Sequence, residues 1–324
     1  MKTTVKIGLA AATMAVSLAG AAVAQNDWPT RQITFTVATP AGGSTDTWAR
    51  KVAPFLSEEL GVPVVVENNG GGAGILAHNR LLRQDDGAMI VASDIGALVA
   101  RISEGNTTFG IEDFDYLNAP NEEFGLMIAT EASAYNTGAE LADALLAGEA
   151  QPSMADPVGS GPGILAQIFL LTLGVAESDV RIVSYNGGGP MVAAIMGGQV
   201  DFAPMSERHM GRLGDVRPLF TFTDERTEMF PDVPTANEVL DSYDVSMPSM
   251  NTGLRAVLVP ATLKENYPER YETIVGALER VYEREDALAA FSEADVGTMW
   301  LGPEATGQEV SAYFENFSKY LGGN

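Results

Sequence analysis

Two spacings of apolar residues alternate along the chain and predict strands followed by helices. β-Branched and apolar runs predict strands at residues 32–39, 63–67 and 88–92. Apolar residues at helical spacing predict helices at residues 44–60 and 75–83, the first of them ended by Gly61. Because the order is β-α-β-α-β, we expect a parallel sheet with crossover helices.

A second block with the same alternation begins near Phe124. Strand-like runs lie at residues 125–130, 152–155, 180–185 and 199–204. Helical patterns lie at residues 137–147, with Thr137 as the cap, 163–173 and 191–196. The last third adds a strand at residues 256–259 and helices at residues 267–284 and 307–320. Two α/β blocks predict a cleft between them, and open parallel sheets bind ligands at the carboxyl ends of their strands.

The N-terminus has the layout of a secretory signal peptide that is cleaved after Ala24. Lys2 and Lys6 precede an apolar run, and small residues follow it. A membrane anchor is the alternative, but the run falls short of the roughly 20 residues that span a bilayer. Cleavage would take the formal charge from −24 to about −26. Such a charge repels nucleic acid and anionic membranes, so we expect neither as a partner.

Most enzyme chemistries lack their residues in this sequence. With no Cys and only His78 and His209, no spacing supports a zinc site. There is no P-loop, and the glycine clusters miss the last glycine of the dinucleotide fingerprint. The stretch VGSGP at 158–162 lacks the first glycine of a serine hydrolase elbow. We therefore expect no cofactor, no metal and no catalysis, although a secreted α/β enzyme using Ser160 or Asp46 stays open as an alternative.

Three small-residue loops follow predicted strands and open predicted helices: PAGGSTD at 40–46, GSGPG at 159–163 and NGGGP at 186–190. Each would expose unpaired N–H groups at a helix N-terminus, which attracts anions. Hydrogen bonds to a charged group contribute about 1.5–3 kcal/mol each, and micromolar affinity needs about −8 kcal/mol. A few such bonds could hold an anion without any Lys. The alternative is that these are ordinary strand-to-helix turns.

Five motifs, in this order and spacing, resemble one family. They are WPTRQI at 28–33, PAGGSTD at 40–46, LGVPVVVEN at 60–68, YNGGGP at 185–190 followed by GGQVD at 197–201, and FPDVPTANE at 230–238. They resemble motifs of the periplasmic solute-binding proteins of tripartite tricarboxylate transporters, also called Bug proteins. Two departures are Ala41, where Pro is common, and Ile164, where His is frequent.

The resemblance implies a two-domain α/β periplasmic-binding-protein fold of the Venus flytrap, type II-like kind, with the ligand cleft between the domains. Domain 1 would comprise residues 25–120 and 223–324, and domain 2 residues 121–222. The resemblance also implies a monomer in the periplasm that captures a small carboxylate and delivers it to membrane permease subunits. A receptor that presents its ligand to a sensor kinase stays open. So does the ligand, which could be citrate-like, a dicarboxylate, an aromatic carboxylate or an amino acid.

Ligand-binding residues follow from the same resemblance. On one side of the cleft they are Ala41, Gly42, Gly43, Ser44, Thr45 and Asp46. On the other they are Gly159, Ser160, Gly161, Tyr185, Gly187 and Gly188. Ser93 and Met205 are further candidates for the site. Asp46 would repel an anion, so we expect it to cap the helix or to bond an ammonium or hydroxyl group. Met205 would make the pocket more apolar, unless it belongs to the core.

Overall fold

The computed structural model of the protein describes residues 28–105, 107–121, 123–148, 153–157, 161–185 and 188–321. The predicted signal peptide at 1–24 lies outside this part. The strands are β1 Ile33–Val37, β2 Val64–Asn68, β3 Met89–Asp94, β4 Phe114–Asn118, β5 Gly125–Thr130, β6 Ser153–Pro157, β7 Arg181–Tyr185, β8 Phe202–Ser206, β9 Val216–Thr221 and β10 Arg255–Pro260. The helices are α1 Ser44–Leu60, α2 Ile75–Leu82, α3 Ile95–Ser103, α4 Gly138–Ala147, α5 Gly161–Thr172, α6 Gly188–Met196, α7 Ala236–Leu240, α8 Thr262–Asn266, α9 Pro268–Glu283, α10 Glu285–Glu293 and α11 Gly302–Leu321.

Two five-stranded sheets organise the molecule. The first has the order β2-β1-β3-β10-β4, and β1 is parallel to both β2 and β3, as the β-α-β-α-β pattern predicts. Strand β10 returns from late in the chain and runs antiparallel between β3 and β4. The second sheet has the order β7-β6-β8-β5-β9, with β6 parallel to β7 and β8, and β5 antiparallel to β8 and β9.

Helix α1 is held firmly against the first sheet. Trp48, Val52 and Leu56 are fully buried, because their spacing places them on one face of the helix. The indole Nε1 of Trp48 also donates to the hydroxyl of Tyr282 on α9, at 2.9 Å. The predicted start, end and Gly61 cap of this helix are confirmed. The start of α1, where the first small-residue loop lies, therefore rests on a rigid element.

Several elements differ from the sequence predictions. The strand predicted at 199–204 is β8, which lies further along the chain at Phe202–Ser206. Helix α3 was not predicted, although Asp94 caps it by accepting a hydrogen bond from the N–H of Ala97 at 2.9 Å. Helix α10 was not predicted either, although the preceding helix was predicted to end at 284, one residue after the observed end of α9. The last helix begins at 302 rather than 307.

The chain passes between the two sheets after β4 and again before β10. The segment after β9 still packs against the second sheet's unit, since α7 contacts α4 and β9, and Thr235 forms a bridge with Thr221. These contacts favour a later return to the first unit than residue 223, although the predicted domain boundaries stay predictions. Within the described ranges, no helix is both long enough and apolar enough to cross a membrane.

Candidate functional site

The loop from β1 to α1 exposes backbone donors at the start of a long helix. Its residues Ala41–Ser44 are exposed, and Gly42 has a φ of 87°, which a residue with a side chain rarely adopts. Gly43 is the N-cap of α1, and no side chain caps the helix there. The N–H groups of Gly43, Ser44 and Thr45 have no hydrogen-bond partner among the described residues. An anion placed here would meet free donors and the positive end of the helix dipole.

Asp46 stabilises this loop from below. Its Oδ2 accepts a hydrogen bond from the N–H of Gly42 at 2.8 Å, and its Oδ1 lies 2.9 Å from both Asn68 Nδ2 and Arg50 Nε. Burial would raise the pKa of Asp46, but the hydrogen bonds from Gly42, Arg50 and Asn68 together lower it. Both carboxylate oxygens are occupied, and the bond from Gly42 fixes the loop immediately before the N-cap, Gly43. The ion pair with Asp46 neutralises the charge of Arg50.

The glycine-rich segment after β2 packs beneath the loop. A Cβ on Gly70 would lie 2.8 Å from the backbone nitrogen of Pro40, which is closer than real side chains approach. Asn68 Nδ2 also bonds to the carbonyl of Thr39, at 3.3 Å. The NNGGGAG segment therefore supports the β1–α1 loop.

A cavity of about 160 Å³ opens beside the start of the β1–α1 loop. Its lining residues, all from the first unit, are Ala38, Thr39, Pro40, Gly70, Ala73, His78, Ser93, Asp94 and Ala97. Among the predicted site residues, Ser93 lines it. Two larger open clefts, of about 1070 and 670 Å³, have linings that include none of the predicted site residues within the described chain.

The polar part of this cavity consists of neutral or acceptor groups. His78 Nε2 lies 3.0 Å from Ser93 Oγ, and both residues are buried. Burial lowers the pKa of His78 to about 4, although its hydrogen bond to the Gly74 backbone acts in the opposite direction, so the imidazole is neutral at pH 7. Burial likewise raises the pKa of Asp94. The Oγ1 of Thr39 is buried without a hydrogen-bond partner in the described part of the chain.

The predicted residues of the second unit are only partly described. Gly159, Ser160 and Gly187 lie outside the described residues. Gly161 is buried at the first turn of α5, against the backbone of Thr252, and Gly188 begins α6. Tyr185 is half-buried at the end of β7. Met205 is 1% exposed and packs in a hydrophobic cluster, so its side chain serves the core.

A second polar cluster lies where the chain passes between the sheets. We call it the crossover cluster, and it consists of Asn121, Glu123, Ser206, Arg208 and Arg255. Glu123 Oε1 lies 2.6 Å from Arg255 Nη2, 2.8 Å from Arg208 Nε and 2.8 Å from Asn121 Nδ2. Its Oε2 accepts a bond from Ser206 Oγ at 3.2 Å. Since Arg255 belongs to the first sheet and Arg208 follows the second, Glu123 joins the two units.

Two acidic residues extend the crossover cluster. The guanidinium of Arg208 also contacts the carbonyl oxygen and carboxylate of Asp295, which follows α10. Glu207 accepts bonds from Ser206 Oγ at 3.0 Å and from the N–H of Phe124 at 3.1 Å. Burial, followed by the nearby charge of Glu123, raises the pKa of Glu207 to about 7. The members of this cluster lie far apart along the chain, so no local sequence pattern predicts it.

Comparison with known protein families supplies one match. Residues 48–256 match the family described as "Tripartite tricarboxylate transporter family receptor" (TctC). Among curated relatives, the protein BugT of Bordetella pertussis is 29% identical over 246 residues, which are 72% of each chain.

Solved structures share the fold of this protein at low sequence identity. MatC of Rhodopseudomonas palustris, solved with bound malate, has a TM-score of 0.70 at 22% identity and covers 90% of this chain and 99% of its own. Another R. palustris protein, solved with adipate, has a TM-score of 0.67 at 20% identity, with 91% and 98% coverage. These neighbours confirm the predicted fold class, an α/β two-domain binding protein.

Proposed function

The chain belongs to the family of tripartite tricarboxylate transporter receptors, and from that premise we propose that it captures a small carboxylate and delivers it to a tripartite permease. The family resemblance of its motifs is thereby confirmed. The family and the structural neighbours are solute-binding proteins, so the chain is a receptor and not an enzyme. What we propose beyond this is that the ligand is a small carboxylate and that it is delivered to a permease.

The observation that carries the proposal is the set of free donors in the β1–α1 loop. The N–H groups of Gly43, Ser44 and Thr45 lack partners among the described residues, and they begin a helix of 17 residues. Two or three bonds to a carboxylate, at about 1.5–3 kcal/mol each, supply most of the −8 kcal/mol that micromolar binding needs. The acidic surface of the protein is compatible with this mode, because the backbone holds the anion.

Closure of the cleft would complete the site. The carboxylate rests on the β1–α1 loop, and the second unit closes over it from the other side. Ligand contacts that form only when the units close favour the closed form over the open one. In this scheme the crossover cluster lies at the hinge. The malate and adipate bound by two structural neighbours support a carboxylate as the ligand class.

Location and partners complete the proposal. Cleavage after Ala24 would release the receptor into the periplasm as a monomer, where permease subunits accept its ligand. The proposed domain 1 comprises residues 25–120 and 223–324, and the proposed domain 2 comprises residues 121–222.

Calorimetric titration of the purified protein tests the proposal directly. The panel contains mono-, di- and tricarboxylates, with a sugar and an uncharged amide as controls. We expect at least one carboxylate to bind with a micromolar or lower Kd and the controls to give no heat. Failure of the whole carboxylate panel, or equal binding of an uncharged control, would overturn the proposal.

A further inference from the structure

The cavity beside the β1–α1 loop differs in chemistry from the loop itself. The loop offers free N–H donors, whereas the cavity walls are formed by small apolar side chains of Ala38, Pro40, Ala73 and Ala97. The cavity begins at Thr39 and Pro40, immediately before the exposed donors. A ligand whose carboxylate rests on the donors would extend past Pro40 to place its other end in this space.

No cation lines this cavity within the described chain. Its one basic side chain, His78, is neutral at pH 7, and its one acidic side chain is Asp94. A second carboxylate placed here would be removed from water beside the carboxyl group of Asp94, with no Lys or Arg in the described lining to pair it. Burial already raises the pKa of Asp94, and the same loss of hydration would act on a ligand carboxylate.

The volume of the cavity fits an apolar group of ring size. A cavity of about 150 Å³ lined by apolar side chains holds benzene, and this cavity measures about 160 Å³. A second charge in this space finds no counter-ion among the described residues that line it.

We propose that this cavity receives the uncharged, apolar body of a monocarboxylate and excludes a second carboxylate. The inference rests on the proposed function, since it assumes that the ligand's one carboxylate is held by the β1–α1 loop. It commits the receptor to aromatic or short branched monocarboxylates, in contrast to the dicarboxylates bound by the two structural neighbours.

Matched pairs of ligands test this selectivity. Benzoate is compared with terephthalate, and hexanoate with adipate, each by calorimetry at pH 7. We expect each dicarboxylate to bind about 10- to 100-fold more weakly than its monocarboxylate partner. Equal or tighter binding of the dicarboxylates would overturn the inference while leaving the proposed function intact. If no carboxylate binds at all, the proposed function itself fails.

Two substitutions locate the effect in the cavity. Ala97→Leu fills part of the cavity from a half-buried position on α3, and Ala290→Leu is the matched control on α10, away from it. We expect Ala97→Leu to weaken benzoate binding at least about tenfold while propionate binding stays within about twofold, and Ala290→Leu to change neither. Equal loss of both ligands, or no loss of benzoate, would contradict the placement.

Asp94→Asn provides a variant that keeps the fold. Asn caps a helix as well as Asp does, so the bond to the N–H of Ala97 is retained while the charge is removed. We expect terephthalate to gain several-fold on benzoate. An unchanged ratio would show that Asp94 does not face the ligand body and would contradict the assigned orientation.

Discussion

The β1–α1 loop and the crossover cluster both concentrate polar groups, but they use their hydrogen-bonding capacity in opposite ways. In the loop, the N–H groups of Gly43 and Ser44 have no partner among the described residues. In the cluster, the carboxylate of Glu123 receives bonds from three side chains on one oxygen and from a fourth on the other. A site that binds a ligand needs donors or acceptors without protein partners. A joint between two units needs its donors and acceptors paired.

The two regions also differ in how they treat charge. Arg50, which follows the loop, is paired with Asp46, so an anion bound at the loop would be held through the backbone. The cluster holds two guanidinium groups against Glu123, where water has little access. Buried ion pairs contribute little net stability but are costly to break, because the remaining charge loses its partner. Substitutions should therefore affect the fold most at the cluster and ligand binding most at the loop.

Removal of the central carboxylate is expected to have the largest effect. Glu123→Ala leaves the guanidinium groups of Arg208 and Arg255 facing each other without their shared acceptor. We expect it to lower the free energy of unfolding by about 3–5 kcal/mol in urea denaturation. The control is Glu58→Ala, which removes an ion pair with Arg284. The Glu58 side chain is 62% exposed, so this variant should lose less than about 1 kcal/mol of unfolding free energy. Similar losses in the two variants would mean that the cluster is not a structural joint.

Asp46 comes next, because its hydrogen bonds and ion pair hold Gly42, Asn68 and Arg50 around the loop. Asp46→Ala removes the acceptor for Gly42 and the partner of Arg50, and we expect it to cost about 2 kcal/mol of unfolding free energy. Glu140 on α4 accepts a bond from the N–H of Asn136 at 2.7 Å, four residues before it, which is the same pattern in an exposed setting. Glu140→Ala should cost less than about 1 kcal/mol and should leave ligand binding unchanged. We expect Asp46→Ala to weaken ligand binding. Unchanged binding would show that the β1–α1 loop does not need the Asp46 carboxylate to bind its ligand.

Glu207 provides a smaller, pH-dependent test of the cluster. Between pH 4.5 and about 7 the folded protein holds a proton on Glu207 that the unfolded chain has released. Its contribution to the unfolding free energy therefore falls as pH rises through this window, by roughly 1–3 kcal/mol in all. His78 acts with the opposite sign between pH 4 and 6.5, so the quantity to measure is the difference between the parent and Glu207→Gln. A difference that does not vary with pH would contradict the raised pKa.

The elements that sequence predicted well are those whose pattern is local. Helix α1 follows from its apolar spacing and Gly61, and β5 from a run of apolar residues at Gly125–Thr130. Helix α3 escaped prediction because its residues are apolar on most sides and its cap, Asp94, directly follows strand β3. The end of α9 was predicted to within one residue, but the nine-residue helix α10 that follows it was missed.

The site divides in the same way. The free donors of the β1–α1 loop were predictable from its glycines, since the residues that form them are adjacent in the chain. The roles of His78 and Thr39 were not, because they depend on how α2 packs beside β1 and β3. The crossover cluster brings together residues from 121 to 255, so only the folded chain reveals it. Free N–H donors within one short segment can be predicted from its sequence. Hydrogen bonds between residues that are distant in the chain are seen only in the tertiary structure.

If backbone N–H groups of the β1–α1 loop hold the carboxylate, Ser44→Pro and Ser44→Ala should differ in ligand affinity. Ser44 is the first residue of α1 and follows the extended Gly43, so proline fits there. Ser44→Pro removes the N–H and the hydroxyl, whereas Ser44→Ala removes the hydroxyl alone. Glu285→Pro makes the same change at the start of α10, far from the site, and controls for the fold.

Calorimetry with the tightest carboxylate of the panel gives the result. The account predicts that Ser44→Pro weakens binding about 10- to 100-fold, while Ser44→Ala and Glu285→Pro stay within about twofold of the parent. Parental affinity in Ser44→Pro, or an equal loss in Ser44→Ala, would contradict it.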